Sequence, residues 1–204
     1  MARKGTAKEV FIQRALDMFL KNGVRTTMDE ISRQLKISKR TIYEQFEDKT
    51  DLMRACVARL MQQQVELPDL TTGDVVTTIY RVLREDSLNL FGQNSNFILN
   101  LQIYYPEIYD ELFRPRLENV MEFVKSGMQK GMEEGYVCED MNVDIYCNYL
   151  VKYIFQITSD TSKLFKRYTH FEIFHSSILP LLRGVVTKKG LRKMDEVIRE
   201  MGKK

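Results

Sequence analysis

The sequence predicts an all-α protein, with a three-helix domain over residues 1–50 and a longer helical domain over residues 51–204. Three observations carry that expectation. Apolar residues recur at helical spacing through almost every segment. Gly, Pro and Asn punctuate the chain where those runs stop. No run alternates as a half-buried strand does, and there is no internal repeat or low-complexity segment. With 204 residues and 44% hydrophobic content, the chain can build two small domains, each with a core.

The first helix is expected to run to about Leu20. Thr6 and Glu9 have the spacing of a capping box, and Phe11, Ile12, Ala15, Leu16 and Phe19 share one face. Asn22-Gly23 ends it, with Gly23 suited to a left-handed cap. A short connector, VRTT, leads to the second helix, where Thr27 and Glu30 repeat the capping box. Met28, Ile31 and Leu35 then fall together. Lys36-Ile37 is a turn, and Ser38 can cap a third helix. In that helix Ile42 and Phe46, four apart, point inward. Arg40 and Glu44 lie nearly opposite them, Thr41 and Tyr43 flank, and Lys39 sits in the first turn. A thin apolar seam under cations, a hydroxyl and a phenol is what a helix entering the major groove needs. A helical hairpin inside an ordinary all-helical protein shares the apolar pattern, but not the agreement of caps, charge and position.

The stretch TMDEISRQLKISKRTIYEQFEDK resembles the TetR family of transcriptional regulators. The likeness rests on Thr27, on Ile31-Ser32-x-x-Leu35, on Ser38 and Thr41, on Tyr43-x-x-Phe46, and on Lys49 and Leu52. One departure is Lys36, where the family usually has Gly; a left-handed Lys there costs roughly 1 kcal/mol. The resemblance implies a helix-turn-helix DNA-binding domain followed by a helical ligand-binding and dimerisation domain. It implies double-stranded operator DNA as a partner, bound by a homodimer, and a small apolar or amphipathic effector. On this reading Lys39 and Arg40 approach base edges, with Thr41 and Glu44 beside them, while Thr27, Tyr43 and Lys49 hold phosphates. The family's N-terminal arms can contact DNA, so Arg3 and Lys4 are an arm of that kind or a free end.

Lys49 starts the next helix behind an Asp48 cap, with Leu52, Met53, Cys56, Val57 and Leu60 as its stripe, and it runs to about Gln64. In TetR-like proteins this helix joins head to body. After LPDLTTGD, a long helix is expected from Val75 to Phe91, broken by GQNSN, and a short one from Phe97 to Tyr105. Ile108–Phe113 adds a turn or two, and Pro115 can start a helix that stops at Gly135. Gly127 and Gly131 allow close helix packing there, or merely bending. A strongly apolar helix follows Asp140–Asp144 through Ile157. Another covers Thr169–Val186, with Pro180 expected to kink it. A short amphipathic tail ends the pattern by Ile198. The resemblance makes the two long apolar helices, Ile145–Ile157 and Phe171–Val186, the dimer contact.

Phe91, Phe97, Tyr104, Tyr105, Tyr109, Phe113, Met121, Met128, Tyr149 and Tyr153 are the candidates to line an effector cavity. Aromatic and Met side chains make deformable apolar walls, though any helical core uses the same residues.

Charge is uneven. Residues 1–50 carry 11 Lys or Arg against 7 Asp or Glu, a balance of +4, so the overall +3 leaves −1 for the rest. That suits a phosphate-facing N-terminal domain. Cys56, Cys138 and Cys147 are widely spaced and lack a CxxC, so buried reduced thiols are expected before a redox role. His170 and His175 lie five apart, poor spacing for a metal, and no metal or cofactor is expected. No apolar run approaches the roughly 18 residues of a membrane span. MARKGTAKEV lacks a signal peptide's apolar stretch, so a cytoplasmic protein is expected. Without a Gly-rich phosphate loop, a metal cluster or a GxSxG, an enzyme has little support. The functions in contention are a ligand-released repressor, an activator of the same build, and a DNA-binding protein without an effector.

Overall fold

The computed structural model describes residues 7–63, 66–86, 95–160 and 167–201. They form helices and no strand, as expected. The elements are α1 (Ala7–Asn22), α2 (Met28–Leu35), α3 (Lys39–Tyr43), α4 (Lys49–Gln62), α5 (Val75–Asp86), α6 (Ser95–Tyr104) and α7 (Pro106–Ile108). A π-helical turn, π1 (Tyr109–Phe113), leads into α8 (Arg114–Glu133) and then α9 (Val143–Asp160). The last group is α10 (His170–Ile173), π2 (Phe174–Ile178), α11 (Leu179–Arg183) and α12 (Lys188–Met201). Thr6, Phe91 and the first three residues of GQNSN lie outside the described residues.

The chain divides into two units. The first holds α1 to α4 together with the segment Asn96–Arg116. Its helix starts follow the residues that cap them. The Thr27 hydroxyl accepts from the Glu30 amide at 3.2 Å, and the Glu30 carboxylate accepts from the Thr27 amide at 2.7 Å. Ser38 caps α3 and Asp48 caps α4, each accepting from the amide three residues on. Gly23, at φ 90°, closes α1. Lys36 is left-handed at φ 55°, as its place in the turn requires. Its amide donates to the Arg33 and Ser32 carbonyls, while the Ser32 hydroxyl donates to the Ile37 carbonyl at 2.7 Å. Those bonds offset the left-handed cost. Phe11, Leu16, Phe19, Ile31, Ile42, Phe46, Leu52 and Val57 are all buried. α1 packs on α4, α2 on α3, and the π1 turn on α4. Each large apolar side chain so buried contributes about 1.5–3 kcal/mol.

The second unit comprises α5, α8 from Leu117 onward, and everything after it. Gly127 and Gly131 are required by close packing. A Cβ at Gly127 would overlap the Ile79 side chain, and one at Gly131 would stand 2.7 Å from Val137 Cγ2. The turn after α8 is locked to the start of α12. Val137 and Val186 form an isolated antiparallel bridge, and the Thr187 amide donates to the Tyr136 carbonyl at 2.9 Å. The Thr187 hydroxyl donates to the Gly135 carbonyl and caps the Gly190 amide. α12 then packs on α5, burying Met194 and Val197.

The two prolines within helical stretches act differently from a simple kink. Each π turn ends two residues before a proline: Phe113 before Pro115, and Ile178 before Pro180. A helical proline has no amide for the carbonyl four residues back, and its ring crowds that carbonyl. Widening the preceding turn relieves the crowding. The Arg114 amide donates to Tyr109, and the Leu179 amide to Phe174, each five residues back. The expected Thr169–Val186 helix is therefore α10, π2 and α11 in succession, and α8 begins at Arg114 with Pro115 second.

Candidate nucleic-acid interface

The third helix presents the side chains a groove-reading helix needs. Ile42 and Phe46 are 1% and 3% exposed, and Phe46 lies 5.7 Å from the Phe11 ring. That seam fixes the helix against α1. Lys39, Arg40, Thr41, Tyr43 and Glu44 all stand on the exposed side. Tyr43 is 51% exposed, unusual for so large a ring without a partner surface. Lys39 is ion-paired with Asp29, and Arg40 Nε donates to Glu44 at 3.1 Å. These pairs are exposed and worth about 0–1 kcal/mol each, less than a good base contact at about 1–3 kcal/mol. DNA can therefore displace them. The Thr41 and Ser38 hydroxyls lie 2.8 Å apart, so the cap also orients Thr41.

Thr27 and Lys49 mark the two helix starts where phosphate oxygens gain from free amides and the helix dipole. The Glu30 carboxyl is held below its ordinary range by the Thr27 amide and hydroxyl it accepts from. Lys49 is half-buried; desolvation lowers its pKa, and the Glu30 charge opposes that. Sequence reasoning passed over Lys8, whose ammonium lies 4.8 Å from the Phe46 ring centroid and donates to the Gln45 carbonyl. It also passed over Arg25.

The effector candidates are dispersed. In the first unit Phe97, Tyr109 and Phe113 are buried, and the Tyr109 and Phe113 rings lie 5.2 Å apart. Tyr104 is exposed and accepts from Arg25, while Tyr105 has Lys49 Nζ at 5.9 Å from its ring. Tyr105 and Tyr109 have phenols raised by desolvation. In the second unit Met128 lines an apolar cavity of about 30 Å³ among Val75, Ile79, Tyr80, Leu182 and Met194. Tyr149 and Tyr153 line an open groove of about 360 Å³ with Tyr146, Leu150 and Leu181. Met121 is half-buried on α8, and Phe91 lies outside the described residues. Among the described residues no group of three His, Cys, Asp or Glu could hold a metal ion, and no helix is long and apolar enough to cross a membrane.

Residues 7–56 match the family described as bacterial regulatory proteins, tetR family. No curated protein sequence matches the chain. Among solved structures, the TetR-family regulator PfmR from Thermus thermophilus is similar at a TM-score of 0.67 and 15% identity, over 85% of this chain and 97% of that one. A TetR/AcrR-family regulator from Thermobifida fusca gives a TM-score of 0.65 at 20% identity, over 87% and 97%. The Bacillus subtilis regulator FadR, solved in complex with stearoyl-CoA, gives 0.61 at 18%, over 87% and 99%. These identities establish a shared fold; the N-terminal match adds the lineage of the helix-turn-helix. Residues 7–56 therefore carry the N-terminal domain of the TetR family, and the chain shares the fold of these transcriptional regulators.

Proposed function

We propose that this regulator is a ligand-released repressor that binds a palindromic operator as a homodimer. The observation that carries the DNA-binding part is the capped α3, with Lys39, Arg40, Thr41 and Tyr43 exposed above the buried Ile42–Phe46 seam. Lys39 and Arg40 read base edges; Thr27, Tyr43 and Lys49 hold the backbone. Dimerisation is supported by the apolar side chains α9 leaves in solvent, Ile145, Tyr149 and Tyr153, and by Phe171 and Leu181 nearby in sequence order. A two-fold dimer would set the recognition helices about 34–36 Å apart, one DNA turn, or somewhat more. The N-terminal helices and the helical body divide the work as 1–50 for DNA and 51–204 for effector and dimer. A regulator of this kind works in the cytoplasm. That FadR was solved with stearoyl-CoA supports an apolar or amphipathic effector.

Selection of bound sequences from a random duplex pool tests the reading. A palindromic motif with half-sites one turn apart is expected; recovery of no motif by the folded dimer would sink it. An effector that weakens operator binding must itself bind more weakly to the DNA complex by the same factor. DNA binding without an effector is the second reading, favoured by the 30 Å³ of the Met128 cavity, since the roomier Tyr149–Tyr153 groove lies on the face assigned here to the dimer. An effector site of drug size usually has about 300 Å³ or more. A ligand screen in which filled sites leave operator affinity unchanged would select that second reading.

A further inference from the structure

Arg25 is a cation of the first unit to which the helix-turn-helix pattern gives no role. It lies in the connector between α1 and α2, two residues before the Thr27 cap, and it is exposed. Its guanidinium carbon is 4.9 Å from the centroid of the Tyr104 ring, and Nη2 donates to the Tyr104 hydroxyl. The adjacent ring, Tyr105, has Lys49 Nζ 5.9 Å from its centroid. Lys49 in turn feels the charge of Glu30, which is closed onto Thr27. Tyr104 and Tyr105, at the end of α6, thus form a two-ring shelf. It carries Arg25 and Lys49 at the corner where α2 and α4 begin.

An arginine resting on a ring has given up much of its rotamer freedom before any ligand arrives, which lowers the cost of binding. The hydroxyl takes one of its five N–H groups, and Nε and Nη1 remain available to an outside acceptor. Ring stacking does not neutralise the cation. The nearby carboxylates are engaged elsewhere: Glu30 accepts from the Thr27 amide and hydroxyl, and Asp29 pairs with Lys39. Among the described residues no carboxylate forms an ion pair with Arg25. A pre-set, uncompensated guanidinium next to Thr27 and Lys49 fits an anionic oxygen better than a neutral one.

We propose that Arg25 clamps a backbone phosphate of duplex DNA and that Tyr104 is its positioning residue. The proposal rests on the DNA-binding reading above. It also makes the end of α6 part of the DNA-binding surface.

The test is fluorescence anisotropy with the full chain and the duplex recovered from the random pool, titrated from 50 to 200 mM salt. Arg25→Ala is expected to make the log–log salt slope shallower by about 0.9 for each phosphate that Arg25 neutralises, with preference over scrambled DNA unchanged. Tyr104→Ala should weaken binding in the wild-type background and add nothing in the Arg25→Ala background. Arg25→Lys should keep the slope, because the charge remains. It should also lose its dependence on Tyr104, because an ammonium lacks the planar fork. An unchanged slope in a folded Arg25→Ala protein overturns the clamp. A Tyr104→Ala effect that persists undiminished without Arg25 overturns the positioning role. Should Tyr104→Ala fail to fold, Tyr104→Phe carries the same cycle through the missing hydroxyl. Wild-type protein that is folded yet binds no duplex overturns the DNA-binding reading itself, a result distinct from an altered variant on a competent parent.

Discussion

At Arg40, the side chain that the sequence places farthest from the apolar seam is tied, among the described residues, only to Glu44, by a bond in open solvent. That tie is cheap to break, so Arg40 is free to read a base. Arg40→Ala should cost about 1–3 kcal/mol of operator affinity and relax preference at one position of each half-site, read from anisotropy on a panel of single-base variants. Lys36 illustrates a cost that the sequence exposes directly. Lys36→Gly removes a left-handed Lys and should raise the urea unfolding free energy by up to about 1 kcal/mol, less whatever the freer unfolded chain takes back. A fall in stability would mean that the Lys36 side chain contributes more than its backbone costs. The thiols show burial acting on chemistry. Cys56 is pushed up to about 12 and Cys147 to about 11, both chiefly by desolvation. Since the ordinary thiol value is about 8.5, the fold favours the neutral form. That contribution is complete below about pH 8.5 and is lost as pH rises towards 11 and 12. Alkylation at about pH 8, just below the ordinary thiol value, should therefore reach half-buried Cys138 first, and Cys56 and Cys147 only on unfolding, as peptide mass spectrometry would record.

The elements were legible wherever local chemistry decides them. Thr27-x-x-Glu30, Ser38 and Asp48 start helices because an orphan amide needs an acceptor within three residues, and Gly23 stops one because its φ is positive. The two π turns were not legible. Pro115 and Pro180 announce a disturbance, but whether a helix kinks, starts afresh or widens depends on what packs around it. Nor could Tyr104 and Tyr105 be placed: an exposed aromatic on a cation and an aromatic on a cavity wall have the same sequence signature. Close approaches are an intermediate case. Gly127 has the spacing that suggests one, and it has the approach. Gly190 has no such signal, yet a methyl there would run into the Tyr136 carbonyl and stand 2.9 Å from Val186 Cβ. Gly190→Ala should cost about 1–3 kcal/mol in chemical denaturation, because a backbone carbonyl cannot swing aside as a side chain does. A loss below the measurement error would show that α12 can shift without penalty.

For the whole molecule, the question is what covers α9. Ile145, Tyr149 and Tyr153 recur every four residues on one stripe, and Tyr149 is 72% exposed. Cys147, Leu150, Val151 and Ile154 occupy the buried side of the same helix. Of the apolar stretch Phe171–Val186, Phe174 and Ile178 are core at 1% and 3% exposure, so only Phe171 and Leu181 remain as large apolar groups in solvent. The dimer hypothesis is therefore tested on the exposed stripe alone. Tyr149→Asp with Tyr153→Asp should yield a folded monomer in sedimentation velocity at micromolar concentration, with operator affinity lost. A wild-type monomer under those conditions, or a double variant that remains dimeric, would place the contact elsewhere.

The lock between the turn after α8 and the start of α12 has a consequence for synthesis. All of the described first unit lies within residues 7–116, so a nascent chain can fold that unit while the rest is still being made. The second unit has no such freedom. The stripe of Val75, Val76 and Ile79 on α5 is closed by Met194 of α12, more than a hundred residues later. Until residues 188–201 leave the ribosome, that stripe stands open to solvent, and a stalled or shortened chain would carry a folded first unit and an unsealed second one.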